Sequence, residues 1–494
     1  MQQHSARSGT LLCLTGALIA AAVAVTACGG NSETQATPTF PTEVSQLDPQ
    51  LVAEGKDTFR YDTFGDESFW TDKLQMNQVI EQAVDPLTAA KVGLKVDADA
   101  LPANVVKGIQ DGTIPLNDPQ TTLALLQMNA VVGAKGQVST GPDGKLHLDR
   151  FGITCALCHS TVSKDVHVFA GGTTDLAGIV GHRLDGWPNR DLQPGTILSL
   201  SPALTAAQAA EYASWFTKYG SGFYDPRINV NTDPGSNPAV GSDVDANLAA
   251  YKRTGGIPVV IPPAFGLIGL SKAIFTGDGD VQHEPAGPVS YWNRYVGVTQ
   301  MHGHGTFFDE RIIVNGKPLQ VDHREGDDVV TAVLPGLEAY QWSIVAPTPP
   351  PGSFDTVAAQ RGKVLFNGKA TCVSCHSGAS FTDVNTFGLH PANASVALDK
   401  NYIKFSATKQ WRTTPLKGIW QHPPYFHDGS GAYDTATAAC KDGSSIGGAA
   451  GGDVVTDDLT CVVNRYNASK TNGGFDLQLT AGEVADLVQY LKSL

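Results

Sequence analysis

The sequence predicts a mainly α-helical protein divided into two domains of unequal size. Signals for helix starts and stops recur along its 494 residues, whereas strand patterns are short and few. Four prolines and a glycine lie within residues 346–352 and indicate a boundary between the domains. We therefore expect a larger domain at residues 57–345 and a smaller one at residues 346–494.

The N-terminus has the features of an export signal. Arg7 precedes an apolar stretch from Leu11 to Val25, which is too short to span a membrane comfortably. The stretch ends in Val-Thr-Ala-Cys-Gly and resembles a bacterial lipobox, in which cleavage leaves Cys28 as the acylated first residue. The alternative is an ordinary signal peptide that is cut after Ala27 or a little later.

With the lipobox, residues 1–28 are predicted to be a lipoprotein signal peptide. Residues 29–56, which are rich in Thr, Gln and Pro, are predicted to be a flexible tether. The mature protein is then expected in the periplasm or at the cell surface, held to the membrane by its lipid anchor.

The first helix with clear end signals follows Asp118. An aspartate followed by Pro119 is typical of an N-cap and the first helical position. The apolar pattern predicts that this helix continues through Val131 and stops at Gly133.

A second helix and one strand are predicted further along the larger domain. Thr205 has the character of an N-cap, and the helix should continue to Tyr219 because Gly220 is a typical C-terminal stop. Residues 310–314 form an apolar strand pattern ahead of Asn315-Gly316, which predicts a hairpin turn.

Two five-residue motifs carry most of the chemical information. Residues 155–159 and 372–376 both read C-x-x-C-H. Two thiols at positions i and i+3 lie on one side of a helical turn, so they can form thioethers with one haem, and the adjacent histidine can bind its iron. We predict two covalently bound haem c groups, with His159 and His376 as proximal ligands. The list of attachment residues is Cys155, Cys158, Cys372 and Cys375.

The remaining cysteines fit an exported protein. Cys13 lies in the signal peptide, and Cys28 is the candidate for lipidation. Cys440 and Cys461 are 21 residues apart and predict a disulfide; two free thiols are the alternative.

The smaller domain resembles a class I cytochrome c. Ser353 is predicted to start a helix that carries Gly362 and Phe366 and leads into the second haem motif. Thr480 and Glu483 form a capping-box pattern for a closing amphipathic helix. The resemblance implies that the two terminal helices cross and that glycine permits their close approach. The larger domain is interpreted as a second cytochrome c core, enlarged by insertions and long loops.

The ligand opposite each proximal histidine decides between electron transfer and catalysis. The chain has four methionines, and none follows His376, so the second haem lacks the usual methionine ligand within its own domain. The candidates there are His390, His422, His427 and Tyr466.

Residues 414–418 and 427–430 resemble the C-terminal haem domain of bacterial dihaem cytochrome c peroxidases. That superfamily includes the methylamine-utilisation dihaem enzymes and, more distantly, the dihaem rubber oxygenases. In the peroxidases a methionine binds this haem, and in the methylamine-utilisation enzymes a tyrosine does. The resemblance implies that Tyr466 takes this place, with His427 near the haem. The alternative makes His427 the ligand and Tyr466 a core aromatic.

Six residues are candidates for the distal side of the first haem. His182 is preferred because a histidine at a comparable distance from the motif binds the N-terminal haem in the resting peroxidases. The resemblance also implies a tryptophan between the haems, and Trp187, Trp342 and Trp420 are available. The six distal candidates are His167, His182, His283, Met301, His302 and His304.

The net charge of −14 argues against a nucleic-acid partner and is compatible with steering of a basic redox protein. Together with the two motifs, the resemblance implies a dihaem oxidoreductase of the peroxidase type, with a small redox protein or another c-type cytochrome as electron donor or acceptor. In this hypothesis the C-terminal haem relays electrons and the N-terminal haem is reactive. The alternatives are a non-catalytic electron-transfer cytochrome of the cell envelope and a dihaem oxygenase.

Overall fold

A computed structural model describes residues 40–224, 259–314, 317–391, 396, 402–434, 437–441 and 455–494. Residues from Phe40 to Leu494 form one compact unit. The predicted signal peptide with Cys28 and the predicted turn at Asn315-Gly316 lie outside the described residues. The part of the chain before residue 346 is called the first half below, and the remainder the second half.

Helices outweigh strands in the described part of the chain, so the mainly α-helical class is confirmed. In the first half the helices are α1 (Pro49–Tyr61), α2 (Met76–Ala83), α3 (Pro86–Lys91), α4 (Ala103–Gln110), α5 (Pro119–Gln127), α6 (Ala156–His159), α7 (Pro194–Ser199), α8 (Ala206–Tyr219), α9 (Pro288–Tyr295) and α10 (Leu334–Ser343). The second half contributes α11 (Thr356–Asn367), α12 (Val455–Asn467) and α13 (Ala481–Lys492).

The strands are short and pair only two at a time in the described residues. They are β1 (Val96–Asp97), β2 (Ala134–Thr140), β3 (Leu146–Ile153), β4 (Ser160–Val162), β5 (Phe169–Ala170), β6 (Thr174–Asp175), β7 (Val180–Gly181), β8 (Arg183–Asp185), β9 (Phe223–Tyr224), β10 (Val259–Val260), β11 (Thr306–Val314), β12 (Lys317–Asp322), β13 (Leu389–Pro391), β14 (Gln410–Arg412), β15 (Tyr433–Asp434) and β16 (Ala439–Cys440). The strand predicted at residues 310–314 belongs to β11, which pairs antiparallel with β12.

The predicted tether is too long. Helix α1 begins at Pro49, and the side chain of Asp48 accepts a hydrogen bond from the Gln50 amide at 2.8 Å. Gly55 of this helix packs so closely on α10 that a Cβ atom there would lie 1.8 Å from the Gly336 carbonyl oxygen. Asp48-Pro49 is the same start signal as Asp118-Pro119, but the polar composition around it is typical of a tether.

The predicted helix start and stop signals are confirmed where the capping hydrogen bonds join residues close in sequence. Thr205 caps α8 through a capping box with Gln208, and Gly220 follows the last helical residue. Helix α5 starts after Asp118 as predicted but ends at Gln127, short of Val131.

The two halves have separate hydrophobic cores. The main core draws on buried residues between Phe59 and Tyr340, and the second on residues between Phe366 and Leu491. Among the described residues, no helix is both long and apolar enough to cross a membrane.

Helices α11 and α13 cross at Gly362 in the second half. A Cβ atom at Gly362 would lie 2.1 Å from the backbone oxygen of Asp486, so only glycine fits at this crossing. The predicted capping box of Thr480 and Glu483 starts α13. The apolar stripe that follows is buried and comprises Val484, Leu487, Val488 and Leu491.

We expect Gly362→Ala to destabilise the second half by about 1–3 kcal/mol, because the added methyl group forces the two helices apart. Gly482→Ala is the matched control on α13. Nothing lies within 4 Å of a Cβ atom at that position, and alanine should stabilise the helix by about 0.4–1 kcal/mol. Denaturant unfolding measures both changes. Equal effects of the two substitutions would contradict the close crossing.

A disulfide joins Cys440 of β16 to Cys461 of α12. It ties the β15–β16 hairpin to the helix that carries Tyr466. Cys461 is buried, whereas Cys440 is exposed.

Candidate functional sites at the two motifs

The first C-x-x-C-H motif forms a single helical turn. Cys155 directly precedes α6, and the His159 amide donates to the Cys155 carbonyl oxygen at 3.1 Å. Gly133 packs against this turn, since a Cβ atom there would lie 2.0 Å from the Leu157 nitrogen. Gly133 therefore does not terminate α5, as the sequence suggested, but makes room for the motif.

His159 is oriented for metal binding. Its Nδ1 atom lies 3.0 Å from the carbonyl oxygen of Pro262. Because a carbonyl oxygen can only accept, Nδ1 carries the proton and the Nε2 lone pair is available to a metal. Burial lowers the pKa of His159 to about 4, so the ring is neutral near pH 7. The Trp292 ring contacts it edge-on, with centroids 4.7 Å apart.

The motif opens onto a cavity of 470 Å³. Cys155, Cys158 and His159 line it, and most of the other lining residues are apolar. The second half contributes a polar part of the wall, which consists of Tyr402, Ser406, Lys409 and Arg412. An apolar cavity with a few polar groups is the usual form of a cofactor or ligand site.

The second motif repeats the histidine geometry. Residues Cys372–Ser374 form a 3₁₀ turn, and the His376 amide donates to the Cys372 carbonyl oxygen at 2.9 Å. The Nδ1 atom of His376 lies 3.1 Å from the Phe381 carbonyl oxygen. This contact again leaves Nε2 available to a metal, and burial lowers the pKa of the ring.

Tyr466 belongs to the neighbourhood of the second motif. Burial, together with the nearby Cys372 and Cys375 thiols, raises the pKa of this phenol to about 12. Its ring stacks on Phe475 with centroids 5.7 Å apart.

His427 lies in a different environment. Its buried ring is 4.8 Å from that of Trp411 and 5.0 Å from that of Tyr402, measured between centroids. Its carbonyl oxygen accepts from the Val260 amide at 2.8 Å. Because Tyr402 and Val260 line the first cavity, the structure separates the two candidates of the second haem: Tyr466 lies near its cysteines and His427 near the wall of the first cavity.

The other two candidates for the second haem make local contacts. His390 lies 2.9 Å from the Oδ2 atom of Asp383, and the Nδ1 atom of His422 lies 3.1 Å from the Gly418 carbonyl oxygen. Asp383 was not anticipated from the sequence. Its carboxylate is 1% exposed, and one oxygen of it, the Cys375 sulfur and a nitrogen of His390 lie within 4.8 Å of one another.

His182, the preferred distal candidate of the first haem, lies on the surface. Its side chain is 55% exposed, and its Nδ1 atom is 2.8 Å from an Asp99 carboxylate oxygen. A ligand role would require this pair to separate and the ring to move inward.

Of the six distal candidates, Met301 lines the cavity of the first motif and is buried. His302 is also buried, but it stacks on Phe69 with centroids 3.7 Å apart. The remaining three pair with polar neighbours, namely His167 with Asp175, His283 with Asp280 and His304 with Ser68.

The tryptophans predicted as candidates between the haems are not equivalent. Trp187 and Trp420 meet edge-to-face with centroids 6.0 Å apart, whereas Trp342 packs on Phe40. The Gly186 amide donates to the His159 carbonyl oxygen at 2.8 Å, so Trp187 directly follows a contact with the first motif. Trp420 comes from the second half and follows Ile419, a member of the second core.

No family model matches the sequence, and no curated protein is significantly similar to it. A MauG-like protein associated with microbial copper homeostasis is 21% identical over 34% of this chain and 58% of that protein, with a TM-score of 0.22. Hydrazine synthase from Kuenenia stuttgartiensis is 17% identical over 49% of this chain and 74% of its own, with a TM-score of 0.30. The chain thus spans little more than half the length of the first of these proteins. These similarities are too partial to assign a function, which must be argued from the residues.

Proposed function

We propose that the protein is an exported dihaem c-type oxidoreductase of the peroxidase type. One observation carries the proposal: each of the two C-x-x-C-H histidines is fixed by an Nδ1 contact to a backbone carbonyl oxygen, which leaves Nε2 available for iron. The repetition of this geometry at residues far apart in the chain favours two sites of the same kind.

The residues at both motifs fit a covalent haem. In each motif two cysteines and the histidine lie within one helical turn, and the first motif opens onto an apolar cavity. Bound haem would supply reversible one-electron transfer and, at an iron with an accessible sixth position, reaction with peroxide or oxygen. Burial of the two proximal rings holds them neutral.

The two sites are unequal in a way that assigns different tasks to them. At the second site, Tyr466 lies near Cys372 and Cys375 and is the ligand we infer for the sixth position. At the first site, the preferred distal candidate His182 is 55% exposed, and we infer that the sixth position stays open to a small substrate. The second site is therefore the electron relay and the first is the reactive centre.

The pair of Trp187 and Trp420 supplies a path between the two halves. Their ring centroids are 6.0 Å apart. Trp187 follows Gly186, which is hydrogen-bonded to the first motif, and Trp420 follows Ile419 of the second core. We infer that electrons pass between the sites through this contact, from a small redox protein or another c-type cytochrome that docks near the second site.

Export and lipidation at Cys28 belong to the same proposal. The disulfide between Cys440 and Cys461 supports an oxidising compartment, since such bonds seldom persist in the cytosol.

We expect cyanide to bind one of the two ferric haems, and we expect hydrogen peroxide to be reduced in the presence of a reduced electron donor. Optical titration and steady-state turnover measure these two properties. Cys155→Ser/Cys158→Ser, which removes the attachment of the first haem, should abolish both, whereas His182→Ala, at an exposed ring, should leave both close to wild type. Two low-spin haems that ignore cyanide, together with no peroxide turnover, would overturn the assignment.

One observation favours the electron-transfer alternative. Met301 lines the first cavity, and a thioether bound to the iron would close the sixth position. The same cyanide titration separates the two functions, and Met301→Leu should open the first haem to cyanide if the sulfur is a ligand.

The apolar cavity wall also suits an oxygenase that acts on a hydrophobic substrate. Such an enzyme would consume oxygen and would not need peroxide.

A further inference from the structure

The cavity of the first motif has a cationic wall that the second half provides. Arg412 ends β14, and Lys409 lies just before this strand. Both line the cavity whose first-half wall contains Cys155, Cys158 and His159. The cavity thus combines thiols and imidazole from one half of the chain with two cations from the other.

Arg412 lacks a carboxylate partner among the described residues. Its Nη1 atom donates to the Lys272 carbonyl oxygen at a long 3.4 Å, and its buried Nε atom has no hydrogen-bond partner there. Burial lowers the pKa of Arg412 to about 10, and no nearby charge offsets this shift. A buried guanidinium without an anion is costly, so this position is suited to an anionic group that enters with a ligand.

Three arginines of the first half, unlike Arg412, pair with carboxylates. Arg311 pairs with Asp309 at 2.7 Å, Arg294 with Glu284 at 2.5 Å and Arg60 with Asp185 at 2.5 Å. The carboxylate of the cavity wall is Asp278, which accepts from the Thr408 amide at 3.1 Å and acts electrostatically on Lys409. The Lys409 ammonium also donates to the Ser406 carbonyl oxygen at 2.5 Å. Arg190 is also buried without a carboxylate partner among the described residues, but it does not line this cavity. The unmatched positive charge of the cavity wall is therefore that of Arg412.

We propose that Arg412 binds a propionate of the first haem, so that the second half of the chain completes the binding site of a cofactor attached to the first half. This inference rests on the proposed function. A haem has its two carboxylates on the edge opposite the two groups that form thioethers, which matches a cavity with cysteines on one wall and a guanidinium on another. Arg412 is then a positioning residue that docks the two halves through the cofactor.

The test is a spectroelectrochemical titration of the full-length protein with both haems attached. A positive charge near a haem favours the ferrous state, so Arg412→Gln should lower the reduction potential of the first haem and leave the second unchanged. We expect a change of roughly tenfold in the ferrous-to-ferric ratio, or about 59 mV for a one-electron couple. The first haem is identified as the component lost in Cys155→Ser/Cys158→Ser.

Two further variants complete the design. Arg412→Lys keeps the charge but not the planar pair of donors, and it should shift the same haem in the same direction by a smaller amount. It also replaces Arg412→Gln if that variant does not accumulate. Arg361→Gln is the matched control, because this exposed arginine of α11 pairs with Asp486 at 2.5 Å, outside the cavity wall.

The outcomes separate the inference from the proposed function. A protein whose mass shows fewer than two haems contradicts the proposed function itself. Two attached haems with no shift in Arg412→Gln, or with equal shifts of both haems, overturn the propionate contact alone. A shift confined to the first haem, absent in Arg361→Gln, supports it.

Discussion

Replacement of Cys372 and Cys375 by serine is expected to leave a protein with one covalently bound haem in place of two. Thioether formation needs both thiols on one helical turn, and each motif supplies only its own pair. The Cys155→Ser/Cys158→Ser variant should likewise lose one haem. Mass spectrometry of the intact denatured chain measures the number of attached groups directly, because covalent haem survives unfolding.

The matched control is Cys440→Ser/Cys461→Ser, which removes the two disulfide sulfurs and no predicted attachment site. It should retain two haems and lose stability, by about 2–5 kcal/mol if it behaves like other exported domains. The attachment assignment fails if either haem-motif variant keeps two groups, or if the wild-type chain carries none.

Tyr466→Phe is expected to change the ferric spectrum of one haem and leave the other intact. The substitution removes the phenol oxygen but keeps the ring that stacks on Phe475. If that oxygen binds the iron of the second site, its loss opens the sixth position, and the low-spin signal of this haem in electron paramagnetic resonance should disappear. Cyanide should then bind two haems where it bound one.

His427→Gln is the control for this measurement. The His427 ring lies among Trp411 and Tyr402, beside the first cavity, so the substitution should leave the low-spin signal of the second haem in place. The opposite pattern, with the signal lost in His427→Gln and kept in Tyr466→Phe, would restore His427 as the ligand. A signal that survives both changes contradicts both assignments.

The sequence was most informative where the governing interaction is local. The start of α8 at Thr205 and the start of α13 at Thr480 depend on hydrogen bonds within four residues, so both could be predicted from the residues themselves. Gly362 is a different case, because its contact with Asp486 is distant in sequence and its role follows from the resemblance to class I cytochrome c.

The sequence-based predictions are wrong at residues whose contacts lie far away in sequence. Asp48-Pro49 starts a helix within the predicted tether, because α1 buries Gly55 against Gly336 of a helix almost 300 residues away in sequence. The sequence pattern predicts that Gly133 ends a helix. In the structure its lack of a side chain allows the backbone of Leu157 to pack against it. In both cases the contact that decides the local structure is made with a residue distant in sequence.

The sequence by itself determined the two attachment motifs and the lack of a methionine after His376, because these features depend on residue identity and spacing alone. The tertiary structure decided which residues lie around each motif. It set His159 against Pro262 and His376 against Phe381, separated Tyr466 from His427, and brought Arg412 to the first cavity. A ligand site is closed by groups from distant parts of the chain, and only the packing of the two halves brings these groups together.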